Sequence, residues 1–171
     1  GTGRHPTTRM CLACLEEMGP ERLASMQVLD FGCGTGVLAL AALRLGAAGV
    51  LGVERDPAAA RAAERNAALN RLEERIRIRA GSWEVVEGVY DLVLANLVPA
   101  ALLRTEDRLC RHCRPGGTVV ISGFGRERTG EVETFFTATG LVPLRRAHLD
   151  VWGALVMTRP LPPADRSADR S

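Results

Sequence analysis

The sequence predicts an α/β fold, a doubly wound and mostly parallel sheet closed by an antiparallel hairpin at its C-terminal end. Three observations predict it. Apolar runs of strand length alternate with segments of helical periodicity along most of the chain, the pattern of repeated β-α-β units. The first such run, Val28-Leu29-Asp30-Phe31, passes into Gly32-Cys33-Gly34-Thr35-Gly36 and then directly into an Ala/Leu-rich segment. Two strand-like runs also follow one another near the end with no helix between them.

In chain order, residues 7–18 read as a helix, because Cys11, Cys14, Leu15 and Met18 share one face at i, i+3, i+4 and i+7. Gly19-Pro20 ends it. A strand over 27–31 leads into the glycine turn. A helix over 37–45 stops at Gly46. A second strand, 49–53, ends at Glu54, and Pro57 suits the first turn of a helix running to Asn70. Residues 76–80 alternate with period two, as a strand with one solvated face does. A nearly continuous apolar run over 90–95 gives a fourth strand ending at Asn96. A helix is expected over 99–113, then a Pro115-Gly116-Gly117 turn into a strand at 118–122. A helix over 129–139 ends at Gly140, and strands at 141–149 and 151–158 close the sheet. The tail 160–171 lacks the apolar content to pack and is expected to be disordered.

The glycine turn carries the functional reading. Glycines at alternate positions after a strand let backbone approach a ligand where no Cβ stands in the way. Glu54, eighteen positions after Gly36 and at the tip of the next strand, is placed to accept hydrogen bonds from both hydroxyls of a ribose. The spacing separates the candidate cofactors. A dinucleotide fingerprint needs its third glycine where Val37 stands, and no G-x-x-x-x-G-K-[ST] run is present to cradle a triphosphate. A cofactor with a ribose and no pyrophosphate remains, and S-adenosylmethionine fits, its amino-acid tail along Gly32, Gly34 and Gly36 and its ribose on Glu54.

Composition bounds the class. At 171 residues, 46% hydrophobic and 25% charged, the chain is of one-domain size. It shows no unbroken apolar span and no signal pattern, so a cytoplasmic protein without a membrane association is expected. Five cysteines, an odd number, agree with a reducing compartment. The net charge of +2 comes from scattered arginines and forms no basic stripe of the nucleic-acid-binding kind. All 22 basic residues are arginine, which excludes a lysine base or Schiff-base nucleophile.

The run Gly1-Thr2-Gly3-Arg4-His5-Pro6-Thr7-Thr8, followed by Cys11-Leu12, resembles the PrmA family, bacterial enzymes that methylate the eleventh protein of the large ribosomal subunit. Three further segments are similar to that family: the 30–36 turn, Asp56-Pro57 with Asn66 and Asn70, and Ala95-Asn96-Leu97. They span residues 1–125, and Trp152 is also similar. The resemblance implies a Rossmann-like class I methyltransferase fold, S-adenosylmethionine as cofactor, and a ribosomal protein as substrate. It implies that Thr8, Gly32, Glu54 and Asn96 bind the cofactor, with Glu54 standing where Asp is more usual, and that Ser82 sits where such enzymes hold the adenine. Asn96 is the expected catalytic residue, orienting an acceptor amine rather than removing its proton. The family's N-terminal recognition domain has no counterpart here. The expectation is therefore one catalytic domain over residues 1–159, acting as a monomer, either as a fragment or as a relative that has lost that module.

Other readings stay open at this stage. A small-molecule methyltransferase and a binding module without turnover would keep the same cofactor residues. DNA is not an expected partner, because Leu97 and Val98 stand where amino-methylating nucleic-acid enzymes carry Pro-Pro before a stacking ring. No metal is expected. The C-x-x-C pairs Cys11/Cys14 and Cys110/Cys113 each lie on a predicted amphipathic helix, where i and i+3 share a face. Cys33 reads as a small turn residue, His5 as a shaper of the cofactor loop, and His148 as structural. Arg71, Arg75, Arg77 and Arg79 read as a solvated surface.

Overall fold

A computed structural model describes residues 3–105 and 107–162. The first two residues of the N-terminal motif, Gly1 and Thr2, and the expected disordered tail from residue 163 onward lie outside the described residues.

The chain opens with helix α1 (Pro6–Leu23), whose N-cap is His5 and whose first residue is proline. Proline is tolerated there because the first amides of a helix have no intrahelical acceptor. Gly19, at φ 72° and ψ 160°, leaves the helical region, and Pro20 starts one more turn that ends at Leu23. The expected stop at Gly19-Pro20 is thus a kink.

Seven strands form one sheet: β1 (Gln27–Phe31), β2 (Gly49–Glu54), β3 (Ile76–Ala80), β4 (Tyr90–Asn96), β5 (Cys113–Gly125), β6 (Val142–Leu149) and β7 (Trp152–Thr158). Their spatial order is β3-β2-β1-β4-β5-β7-β6. The first five are parallel, and β7 is antiparallel to both neighbours. The chain thus builds outward from β1 in one direction and then from β4 in the other. Connections leave the sheet on opposite sides at the β1/β4 junction, which opens a crevice beyond the strand C-termini.

The helices α2 (Val37–Arg44), α3 (Pro57–Leu69), α4 (Pro99–Leu102), α5 (Arg108–His112) and α6 (Thr129–Ala138) cover both faces. Strand alternation sorts the core. Val28, Val50, Leu92, Leu94 and Val120 meet Cys11, Leu15, Leu38, Ala42 and Ala67 from α1, α2 and α3. Leu29, Leu51, Val93, Val119 and Ile121 meet Leu102, Leu109, Val132 and Phe136 from α4, α5 and α6.

The expected helix over 99–113 is corrected to two short pieces. A 3-10 turn, Leu103–Thr105, follows α4, and the buried Thr105 hydroxyl donates to the Leu102 carbonyl at 2.7 Å. Leu102 and Leu109 are both fully buried, seven positions apart, so the apolar spacing of a helix is met without a continuous helix. Cys113 is also corrected. It is the first residue of β5, paired with Tyr90, so Cys110 and Cys113 do not share a helix. The strand expected at 118–122 is longer at both ends, and residues 114–117 loop out between the Tyr90 and Leu92 pairings. At the β6/β7 connection the turn is tight, with Asp150 in the left-handed region at φ 54°. Aspartate tolerates that conformation better than most side chains.

Candidate functional site

The crevice is built first by the turn after β1. Gly32, Gly34 and Gly36 all have positive φ, at 76°, 57° and 83°. The amides of Gly32 and Cys33 both donate to the Val53 carbonyl, at 2.8 and 3.0 Å, which ties the turn to the end of β2. Glu54 then completes the tie. Its Oε2 accepts from the Gly34 amide at 2.8 Å and its Oε1 from the Asp56 amide at 2.9 Å. From α3, the Asn66 side-chain amide donates to the Thr35 carbonyl at 2.9 Å, anchoring the far side of the turn.

Two clefts of about 540 and 480 Å³ meet over this turn and share Gly32, Leu97 and Val98. Phe31, Glu54, Gly81, Ser82 and Trp83 line the first. His5, Thr8, Asp30, Gly34, Asn96 and Trp152 line the second. Gly32 is needed at the junction because a Cβ there would collide with the Leu97 side chain. Gly123 is needed beside it because a Cβ would run into the Leu97 carbonyl oxygen.

Of the sequence-predicted residues, Thr8, Gly32, Gly34, Glu54, Ser82 and Asn96 all line one cleft or the other. Asn96 and Thr8, far apart in the chain, are in contact: the Asn96 Nδ2 donates to the Thr8 Oγ1 at 3.3 Å. Gly36 departs from the expectation. It is the N-cap of α2, and the Cβ it lacks would stand 3.2 Å from the Ala63 Cβ, so its smallness serves the packing of α3. It lines neither cleft.

Several of the remaining singled-out side chains have structural partners. His5 caps α1 through Thr7 and stands edge-on to Trp152, ring centroids 4.8 Å apart, joining the N-terminal segment to β7. His148 meets the Thr129 hydroxyl at 3.2 Å. Arg75 donates to the Ala47 carbonyl, and Arg79 donates to the Val85 carbonyl at 3.0 Å and pairs with Glu87. All five cysteines are free and buried, and burial pushes the Cys33 thiol well up, which suppresses the thiolate a nucleophile requires. Among the described residues, no three His, Cys, Asp or Glu side chains converge as a metal site would need. No helix among them is long and apolar enough to cross a membrane.

Three cleft residues escaped the sequence reading. Asp30 is almost fully buried in the second cleft, and its Oδ2 accepts from the Ala39 amide at 3.0 Å in the first turn of α2. Desolvation pushes its carboxyl up to about 7, against the pull of that hydrogen bond and with a smaller push from Glu54. The signal was available, because Asp30 alternates with Val28 on a face that is otherwise apolar. Phe31 and Trp83 were the others. Their rings stack at 3.7 Å and 11°, and only the position of Trp83 directly after Ser82 could have suggested it.

Residues 1–160 match the family model of ribosomal protein L11 methyltransferase (PrmA). The chain is 41% identical over 161 residues to the ribosomal protein L11 methyltransferase of Dechloromonas aromatica, covering 94% of this chain and 52% of that protein. It is 38% identical to the one from Pelobacter propionicus, covering 93% and 52%. The chain thus spans about half the length of these curated relatives. The crystal structure of ribosomal protein L11 methylase from Lactobacillus delbrueckii subsp. bulgaricus superposes with a TM-score of 0.84 at 29% identity, covering 92% of this chain and 81% of that one. An RNA methyltransferase from Salinibacter ruber, in complex with S-adenosyl-L-homocysteine, shares the fold with a TM-score of 0.70 at 22% identity, covering 91% and 94%.

Proposed function

Since the chain belongs to the ribosomal protein L11 methyltransferase (PrmA) family, we propose that it binds S-adenosylmethionine across the two clefts and transfers the methyl group to an amino group of a ribosomal protein. The observation that carries this reading is the Glu54–Gly34 hydrogen bond at the β1/β2 strand ends, which sets a carboxylate beside a loop without side chains.

The residues fit that cofactor. Each Glu54 oxygen holds one backbone amide, and a carboxylate oxygen has a second lone-pair direction, so both oxygens can still accept from a ribose diol. Phe31, Trp83 and Leu97 give the first cleft an apolar lining suited to a purine. Thr8, Gly34 and Asp30 give the second cleft polar groups suited to an amino-acid tail. When bound there, S-adenosylmethionine supplies an electrophilic methyl group on a positively charged sulfur.

An amine acceptor has to arrive neutral and aligned. A free lysine amine is protonated at neutral pH, and removal from water disfavours its charged form. Asn96 supplies the alignment. With its Nδ2 engaged by Thr8, its Oδ1 is left to accept a hydrogen bond from an incoming amine. Positioning of this kind accounts for much of what an in-line transfer requires of a protein.

The test is incubation with methyl-labelled S-adenosylmethionine and an undermethylated ribosomal extract, followed by mass spectrometry of the labelled species. Label in a ribosomal protein is the expected result. Label confined to small molecules, or retention of the cofactor with no transfer at all, would overturn the substrate assignment.

A further inference from the structure

The aromatic wall of the first cleft stacks against a ring that does not line that cleft. Trp83 lies parallel to two rings, that of Phe31 at 3.7 Å and 11° and that of His112 at 5.5 Å and 8°. Phe31 ends β1 and shares the cleft with Trp83, whereas His112 ends α5 and is absent from the lining. His112 also grips the same loop a second time, its Nδ1 lying 2.9 Å from the Gly88 carbonyl oxygen. That carbonyl can only accept, so Nδ1 carries the proton and the ring plane is set by the bond.

The loop so held is the one that joins β3 to β4 and carries Ser82 and Trp83. Its other side-chain ties involve residues before and after it in the chain. Arg79 reaches the Val85 carbonyl and Glu87, and the Tyr90 hydroxyl reaches the Glu87 carbonyl at 2.9 Å. Those bonds fix the backbone after residue 84 and do not touch the indole, which is held by its ring contacts. The Glu84 carboxylate accepts from the Ser82 amide at 2.7 Å, which shapes the start of the loop without touching the ring. Parallel stacking on His112 therefore restrains Trp83 together with its stack on Phe31, and aromatic pairs of this geometry contribute beyond the area they bury.

We propose that His112 is a positioning residue for the purine half of the cofactor cleft, holding the Ser82-Trp83 wall in its ligand-ready place through the Trp83 stack and the Gly88 bond. The proposal rests on the reading that this cleft takes the adenosine moiety of S-adenosylmethionine. It gives a role to the histidine between Cys110 and Cys113, and it makes a short helix part of a site formed by the strand ends. Pre-ordering a wall before the ligand arrives lowers the ordering cost that binding would otherwise carry.

Calorimetric titration of S-adenosylhomocysteine into the wild-type chain, Glu54→Ala, His112→Ala and His112→Phe tests both statements separately. The expected result is binding by wild type, little or none by Glu54→Ala, a Kd for His112→Ala raised by roughly 3- to 10-fold, and recovery of most of that loss in His112→Phe, which keeps the ring. Trp83 emission, read in a Trp152→Phe background, should shift to the red in free His112→Ala and not in free His112→Phe. Absence of binding by wild type would overturn the reading of the cleft. Binding by wild type with an unchanged Kd in His112→Ala would overturn the role of His112 and leave that reading intact. Should His112→Ala fail to fold, a His112→Phe chain that folds but binds as weakly as Glu54→Ala would equally overturn the stacking role.

Discussion

The Oε2 of Glu54 accepts a hydrogen bond from the amide of Gly34 at 2.8 Å, so the acidic tip of β2 and the glycine turn after β1 are one mechanical unit. The carboxylate does two things at once. It orders the turn by satisfying an amide with no secondary-structure partner, and it offers its remaining lone pairs to the cleft.

Replacing Glu54 with alanine removes both contributions. Hydrogen bonds to a charged group are worth about 1.5–3 kcal/mol each, so loss of the pair to a ribose diol should lower affinity for S-adenosylhomocysteine by at least roughly 100-fold. Glu54→Asp, which keeps the carboxylate on a side chain one methylene shorter, should retain most of it. Calorimetry with an alanine variant that binds like wild type would remove the basis of the cofactor assignment.

Asn96→Ala should separate binding from transfer. The amide touches the second cleft and Thr8, whereas the purine and ribose are proposed to lie in the first cleft. Methyl transfer to a ribosomal protein should drop by about 100-fold, as loss of an orienting group typically gives, while affinity for S-adenosylhomocysteine changes only a few-fold. Equal losses in both would show that Asn96 acts through the cofactor alone.

Two glycines should differ in what an added methyl group costs. At Gly32 the obstacle is the far end of the Leu97 side chain, which can rotate away, and φ 76° adds strain. At Gly123 the obstacle is the Leu97 backbone carbonyl, and φ is 102°. Gly32→Ala should therefore destabilise by about 1–2 kcal/mol and weaken ligand binding, and Gly123→Ala by about 3 kcal/mol. Urea denaturation that ranks them in the opposite order would show that the Leu97 backbone yields more readily than its side chain.

Asp30 should make stability depend on pH. Its folded carboxyl is pushed up to about 7 by burial, whereas an unfolded aspartate titrates near 3.9. The folded chain thus holds the proton over a range where the unfolded chain has lost it. Stability from this source is full below about pH 4 and declines as pH rises through 7, by at most roughly 4 kcal/mol. Asp30→Asn has no charge to bury and keeps an oxygen for the Ala39 amide. Its stability relative to wild type should therefore rise between pH 4.5 and 8 in urea titrations. Parallel pH profiles for the two chains would show that Asp30 is ionised throughout.

Much of this could be read along the chain because it depends on local spacing. Strand and helix periods, the glycines at 32, 34 and 36, and the first-turn proline at Pro57 each act within a few residues. The helix expected over 99–113 failed for the same reason. Leu102 and Leu109 satisfy helical spacing, but the pairing of Cys113 with Tyr90 takes the chain into the sheet. No local pattern announces a partner more than twenty positions away.

What the sequence by itself determined is the order of the elements, the mostly parallel sheet with its closing hairpin, and a glycine turn with an acidic residue on the next strand. Backbone conformational limits and side-chain periodicity act between near neighbours, and those suffice for such features. Only the tertiary structure decided that Gly36 packs against Ala63, that Asn96 meets Thr8, that Asp30 lies buried in the second cleft, and that Phe31, Trp83 and His112 form one stack. Each of these depends on desolvation or contact between strand ends and loops that are distant in sequence, and such contacts exist only once the sheet has brought them together.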